Sequence, residues 1–104
     1  MSTAAGTDGE VSFVVEDGIG LVTLARPHAR NAMTVPMYRR LKEIAEAIEP
    51  GGPVKAVIVT GAGGKAFAAG TDIAHFRDVT TPDQALAYER EMDGVFTALE
   101  TCPV

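Results

Sequence analysis

From Ser12 to Ala25 the chain reads as two short strands, SFVVE and IGLVTLA, around Asp17-Gly18, a dipeptide suited to the positive φ angles of a tight hairpin turn. An antiparallel hairpin is therefore the expected start. The period then changes. Val35, Tyr38, Leu41, Ile44, Ala45 and Ile48 recur at intervals of three and four, which predicts a helix capped by Thr34, with Arg39, Arg40, Lys42, Glu43 and Glu46 on its outer face. Pro50-Gly51-Gly52-Pro53 stops it. Val54 to Thr60 are mostly apolar and β-branched, the pattern of a strand covered on both faces. Strand, helix, strand implies a parallel crossover and the α/β class. A last helix starts at Thr81, where T-P-D-Q is a capping box with proline in the first turn, and its expected apolar face is Ala85, Tyr88, Met92, Val95, Phe96 and Leu99. Cys102-Pro103-Val104 then stand at the threshold of a further strand.

Two segments break this pattern. Arg26-Pro27 ends the second strand, because proline cannot donate to a ladder, and the basic stretch RPHARNAM follows as a loop. After the third strand runs GAGGKAFAAGTDI, small enough for the backbone to approach a ligand or another chain closely. Thr71 or Asp72 is placed to cap a short helix through Ile73, Phe76 and Arg77. Residues 1–10 are small and polar and read as a loose, flexible tail, leaving 11–104 as the structured part.

Composition narrows the function classes. A chain of 104 residues fits one domain, and 46% hydrophobic with 22% charged residues is ordinary for a globular protein. Sixteen of the hydrophobic residues are alanine, so 31 larger apolar side chains plus Cys102 must build the core. That core is thin for a long helix and a two-faced strand, and the chain reads as part of a larger domain. A net charge of −5 has the wrong sign for neutralising nucleic-acid phosphates. One cysteine excludes an internal disulfide, and two histidines without a second cysteine do not make a zinc site, so a metal-free, cytoplasmic protein is expected. No apolar stretch approaches the ~20 residues of a membrane helix.

The glycine-rich segment admits several readings. Gly61, Gly63 and Ala66 match a dinucleotide fingerprint after a strand, but Gly70 and Asp72 interrupt the helix that should receive the pyrophosphate. A Walker loop fails, since Val59 stands where its first glycine belongs and Ala66 where the Ser or Thr should bind magnesium. A third reading is a backbone anion or oxyanion site at Thr71 to Ile73, where free N–H groups face developing negative charge. The fourth is a turn with no ligand.

K-A-F-A-A-G-T-D-I resembles the K-A-F-x-A-G-A-D-[IL] segment of the enoyl-CoA hydratase/isomerase (crotonase) family. V-T-L-A-R-P-H-A-R-N-A-M resembles that family's strand followed by N-R-P-x-x-x-N-A-[LM], and V-K-A-V-I-V-T-G its strand before the loop. The three matches stand in the family's order and cover residues 11–104. The resemblance implies a ββα spiral core, here its N-terminal part only, that binds an acyl-CoA thioester and stabilises its enolate with two backbone N–H groups. It assigns one of them to Thr71, where the family usually has alanine, so the β-branched hydroxyl is a departure that bears on the acyl group. It places Ala69, Gly70, Asp72 and Ile73 beside the thioester and pantetheine arm, and His28, Ala29 and Arg30 along the nucleotide end of CoA, with Arg26 also attracted to its phosphates. His75 and Phe76 line the acyl end or cap a helix.

No cofactor is implied beyond the coenzyme A of the substrate, and the full-length form is expected as a homo-oligomer, a trimer or hexamer. The family's two acid/base glutamates follow a later G-G-G segment that this sequence does not contain. Glu89, Glu91 and Glu100 stand at the wrong place in the pattern. The expectation is hydration of a 2-enoyl thioester or a double-bond shift in the whole enzyme, with this chain inactive alone. Two competitors are a non-catalytic CoA-binding or partner-docking fragment and a Rossmann-type dinucleotide enzyme.

Overall fold

The structure, a computed structural model, describes residues 9–64, 66–72 and 79–104. Ile73, His75, Phe76 and the short helix expected through Arg77 lie outside the described residues, as does most of the expected tail. Five main elements follow in order: β1 (Glu10–Glu16), β2 (Ile19–Ala25), α1 (Val35–Ala47), β3 (Ala56–Gly61) and α2 (Pro82–Glu100). The α/β class and the parallel crossover are both present. β1 pairs antiparallel with β2, and β2 pairs parallel with β3 across α1. Asp17 and Gly18 turn the hairpin with φ of 52° and 80°, the left-handed pair that matches the strands' own twist.

Register decides which side chains share a face. Val11 lies opposite Leu24 and Phe13 opposite Val22, and Val22 is level with Val59 in β3. Val11, Val22 and Leu24 are buried and meet Met37 and Ile44 of α1 and Met33 of the loop before it. α1 begins as expected, with Thr34 Oγ1 accepting the Met37 N–H at 3.4 Å. Its buried residues are Val35, Met37, Ile44 and Ala45. Met37, absent from the predicted stripe, is among the most buried side chains of the fold. Its unbranched thioether reaches past the face that the spacing defines and fills space beside Gly9.

Two expectations are corrected. β3 is not covered on both faces: Ile58 is 53% and Val59 39% exposed, and β3 is the edge of the three-stranded sheet. A β-branched run prescribes a strand with two apolar faces but not the elements that cover them. α2 starts on the expected capping box, with the Gln84 N–H donating to Thr81 Oγ1 at 3.1 Å and the Thr81 N–H to Gln84 Oε1 at 3.2 Å. Its buried set, however, is Met92, Val95 and Ala98, while Ala85, Phe96 and Leu99 are exposed. α2 packs on α1 only along its second half, which leaves Ala85 uncovered, while Phe96 and Leu99 border α1 from the margins of that contact and stay part-open. Cys102, Pro103 and Val104 belong to no regular element.

Candidate active site

Two loops converge at the end of the sheet. The first runs from Arg26 to Thr34 and includes a single 3-10 turn at Pro27–Ala29. The second runs from Gly61 to Asp72. Gly61 is where they meet: a Cβ there would stand 2.7 Å from Asn31 Nδ2 and closer still to the carbonyl oxygens of Ala66 and Phe67. Only glycine permits that approach.

Asn31 is the clamp between the loops. Its side chain is fully buried. Oδ1 accepts the Arg26 backbone N–H at 2.8 Å, while Nδ2 donates to the carbonyls of Ala62 and Ala66 at 3.0 and 2.9 Å. Its φ of 61° is left-handed, a conformation asparagine tolerates better than most side chains. A second tie joins the loop ends. Arg26 Nη1 lies 2.6 Å from Asp72 Oδ2 and donates to the Ala32 carbonyl at 3.2 Å.

Between these ties the loops run side by side as a short parallel pair. The Ala69 N–H donates to Arg30 O at 3.0 Å, the Met33 N–H to Gly70 O at 2.7 Å and the Asp72 N–H to Met33 O at 2.9 Å. Met33 and Thr71 form the bridge. In such a pair it is Gly70 and Asp72 that bond to Met33, so Thr71's own backbone N–H and C=O are turned to the opposite side. The peptide bond is trans and planar, so the N–H of Thr71 is antiparallel to the Gly70 carbonyl that Met33 holds. Among the described residues that N–H has no hydrogen-bond acceptor. The Thr71 side chain is anchored separately, with Oγ1 2.6 Å from the Tyr38 hydroxyl of α1.

Thr71, Ala69, Gly70, Asp72, Arg26, Ala29 and Arg30 are thus assembled in one place, and Ile73 lies outside the described residues. Arg26 and Asp72 face each other, while His28 and Arg30 are exposed on the outside of the first loop. Sequence reasoning gave no role at the site to Asn31, Met33 or Tyr38. For Asn31 a signal existed in a polar side chain within a loop that must cover a glycine turn. For Tyr38 the helical spacing pointed only to the core.

The described residues of the second loop, 61–64 and 66–72, contain no helix. They present a backbone N–H at a junction of small residues, flanked by the exposed side chains of His28 and Arg30.

A sequence profile of the family described as Enoyl-CoA hydratase/isomerase matches residues 19–100. The chain is 37% identical over 87 residues to a hydroxycinnamoyl-CoA hydratase-lyase of Pseudomonas fluorescens, covering 83% of this chain and 31% of that protein. It is 35% identical over 104 residues to a mitochondrial 3-hydroxyisobutyryl-CoA hydrolase of Xenopus laevis, covering 98% and 27%. Among solved structures, an enoyl-CoA hydratase/carnithine racemase from Magnetospirillum magneticum superposes with a TM-score of 0.82 at 39% identity, over 89% of this chain and 35% of that one. The chain therefore spans about a third or less of the length of the relatives it matches.

Proposed function

Because the chain belongs to the enoyl-CoA hydratase/isomerase family and has the crotonase fold over the part it spans, we propose that it acts on an acyl-CoA thioester through an oxyanion-stabilised enolate. One observation carries this reading: the Thr71 N–H is held facing away from the loop pair by the Met33 to Gly70 hydrogen bond. Adding or removing a proton beside a thioester carbonyl places charge on its oxygen. A donor already aimed at that oxygen lowers the barrier without reorganisation, and loss of one such donor typically slows a reaction ~10²–10³-fold. Ala69 and Gly70 let the thioester approach the backbone. The exposed His28 and Arg30, beside Ala29, attract the phosphates at the nucleotide end. Arg26 and Asp72 act by latching the two loops, and Ile73, outside the described residues, is assigned to the pantetheine arm by the family resemblance alone.

The reaction is hydration of a 2-enoyl thioester or a shift of its double bond. Thr71 supplies one donor, and we assign no acid/base role to Glu89, Glu91 or Glu100, which stand at the wrong place in the family's pattern; Glu91 is bonded to Arg39. The 104-residue chain by itself is therefore expected to bind the thioester without turning it over. Thermal unfolding in the presence of butyryl-CoA, coenzyme A or NAD tests the binding half. A ligand at ~100 times its dissociation constant adds about 2.7 kcal/mol, so a rise in Tm with butyryl-CoA and none with NAD is expected. Stabilisation by NAD alone would overturn the reading in favour of a dinucleotide site, and measurable crotonyl-CoA hydration by this chain would overturn the division of labour.

A further inference from the structure

We propose that Tyr38 is a positioning residue for the Thr71 amide: its hydroxyl, bonded to Thr71 Oγ1, stops the peptide plane that carries the oxyanion donor from rocking. The inference rests on the functional reading above, in which that N–H meets the thioester oxygen.

The Thr71 N–H belongs to the peptide unit it shares with Gly70. One side of that unit is fixed, since Gly70 O accepts the Met33 N–H at 2.7 Å. Gly70 itself is a swivel, with φ at 115° and, among the described residues, nothing beyond its chain neighbours within 4 Å of where a Cβ would stand. The Asp72 N–H to Met33 O bond at 2.9 Å ties the following peptide unit, but within this unit one hydrogen bond beside a glycine still lets the plane rock about the bond axis. The second restraint comes from the Thr71 side chain. Its Oγ1 lies 2.6 Å from Tyr38 Oη, at the short end of the O–H···O range, and threonine's branched Cβ restricts the one torsion between that oxygen and the backbone.

Tyr38 is a firm anchor. It stands in the first turns of α1, where its N–H donates to Thr34 O at 3.1 Å. Its ring is half-buried against the core cluster and meets the Phe96 ring edge-on at 6.3 Å and 76°, an arrangement favourable for aromatic pairs. The hydroxyl of residue 71 is accordingly turned to α1. The threonine that departs from the usual alanine at this position is thereby given a function, as the handle by which α1 holds the donor.

Three variants separate this from a merely structural contact. Tyr38→Phe keeps the ring and its Phe96 contact but removes the hydroxyl. Thr71→Val keeps the branched shape without the oxygen, and Thr71→Ser keeps the oxygen. Amide hydrogen exchange followed by NMR on the ligand-free chain is expected to quicken at Met33, whose N–H bonds the Gly70 carbonyl of the same peptide unit, by about fivefold to tenfold in the first two variants, matching loss of one hydrogen bond. Exchange in the core of α1, at Ile44, should not change, and Thr71→Ser should stay near the parent. Unchanged Met33 exchange in Tyr38→Phe and Thr71→Val would overturn the inference whatever the ligand data show.

Infrared difference spectra with butyryl-CoA isotope-labelled at the thioester carbonyl give the second readout. In the parent the carbonyl stretch should fall on binding. In Tyr38→Phe it should move back toward the free value while affinity stays within about twofold. A parent spectrum with no shift would instead overturn the functional reading, leaving the exchange result to decide whether Tyr38 restrains the amide. A shift as large in Tyr38→Phe as in the parent would show that the donor needs no such restraint, and the inference would fall.

Discussion

At the scale of single residues, Asn31 carries the largest local consequence. Its side chain satisfies three backbone groups that are separated along the chain, on Arg26, Ala62 and Ala66. Asn31→Ala would leave all three without that partner in a part-buried setting, where each unsatisfied group costs about 1 kcal/mol, the low end of the buried range. A destabilisation of roughly 3 kcal/mol is expected, measured as a lower urea midpoint. Asn31→Asp should fare little better, because a carboxylate cannot donate to the two carbonyls; a midpoint within error of the parent would refute the clamp. Of the candidate site, the proposed role of Thr71 comes from the resemblance of K-A-F-A-A-G-T-D-I to the family's segment, since small residues and glycine alone leave a ligand-free turn equally open. The partners of that donor were not legible. Whether Asn31 reaches a carbonyl 31 residues away, or Tyr38 a hydroxyl 33 residues away, depends on where the crossover helix sets the two loops, and no local pattern encodes that distance.

Among the elements, caps and turns were the most legible features, since they involve residues within four positions of one another. Thr81 and Gln84 form the reciprocal box that T-P-D-Q predicts. Thr81→Ala should therefore cost about 1 kcal/mol, read in the same urea titration, while Thr81→Ser should cost far less. The buried face of α2 was less legible, because helical spacing marks every apolar residue alike and only the contact with α1 selects Met92, Val95 and Ala98. That contact also has a pH signature. Burial raises the Tyr88 phenol above its ordinary value of 10.0, with Tyr38 and Glu91 adding to the shift. The folded state thus holds this proton more tightly than the unfolded chain. Its contribution is complete below about pH 10 and declines as pH rises past it, because the unfolded state ionises first. Chemical denaturation across pH 9 to 11 should show stability falling in the parent and a shallower fall in Tyr88→Phe; equal slopes would remove Tyr88 from the account.

For the whole molecule, the sheet has one face on α1 and one open. The register sets Val14 opposite Leu21 and Leu21 level with Ile58, and all three are exposed, at 59%, 39% and 53%. One apolar row therefore crosses the open face of all three strands, ending on the edge strand β3. Exposed apolar surface is unfavourable by ~25 cal/mol per Å², and an uncovered edge offers backbone groups for pairing with another chain. On the inner side, a groove of about 160 Å³ between Ile44, Val57, Val59 and Leu99 stays unfilled. Both features follow from the same source that misled the sequence reading of β3: its two apolar faces are prescribed locally, but their cover is not. The 104-residue chain should accordingly bind a hydrophobic dye and scatter light increasingly with concentration. Ile58→Lys should reduce both by placing a charge at the edge end of the row. Being a substitution at an exposed site, it should change folding stability by only about 0.5 kcal/mol. If scattering and dye fluorescence stay at the parent level while the variant remains folded, the open face is not what drives association, and the edge of β3 becomes the place to introduce the next charge.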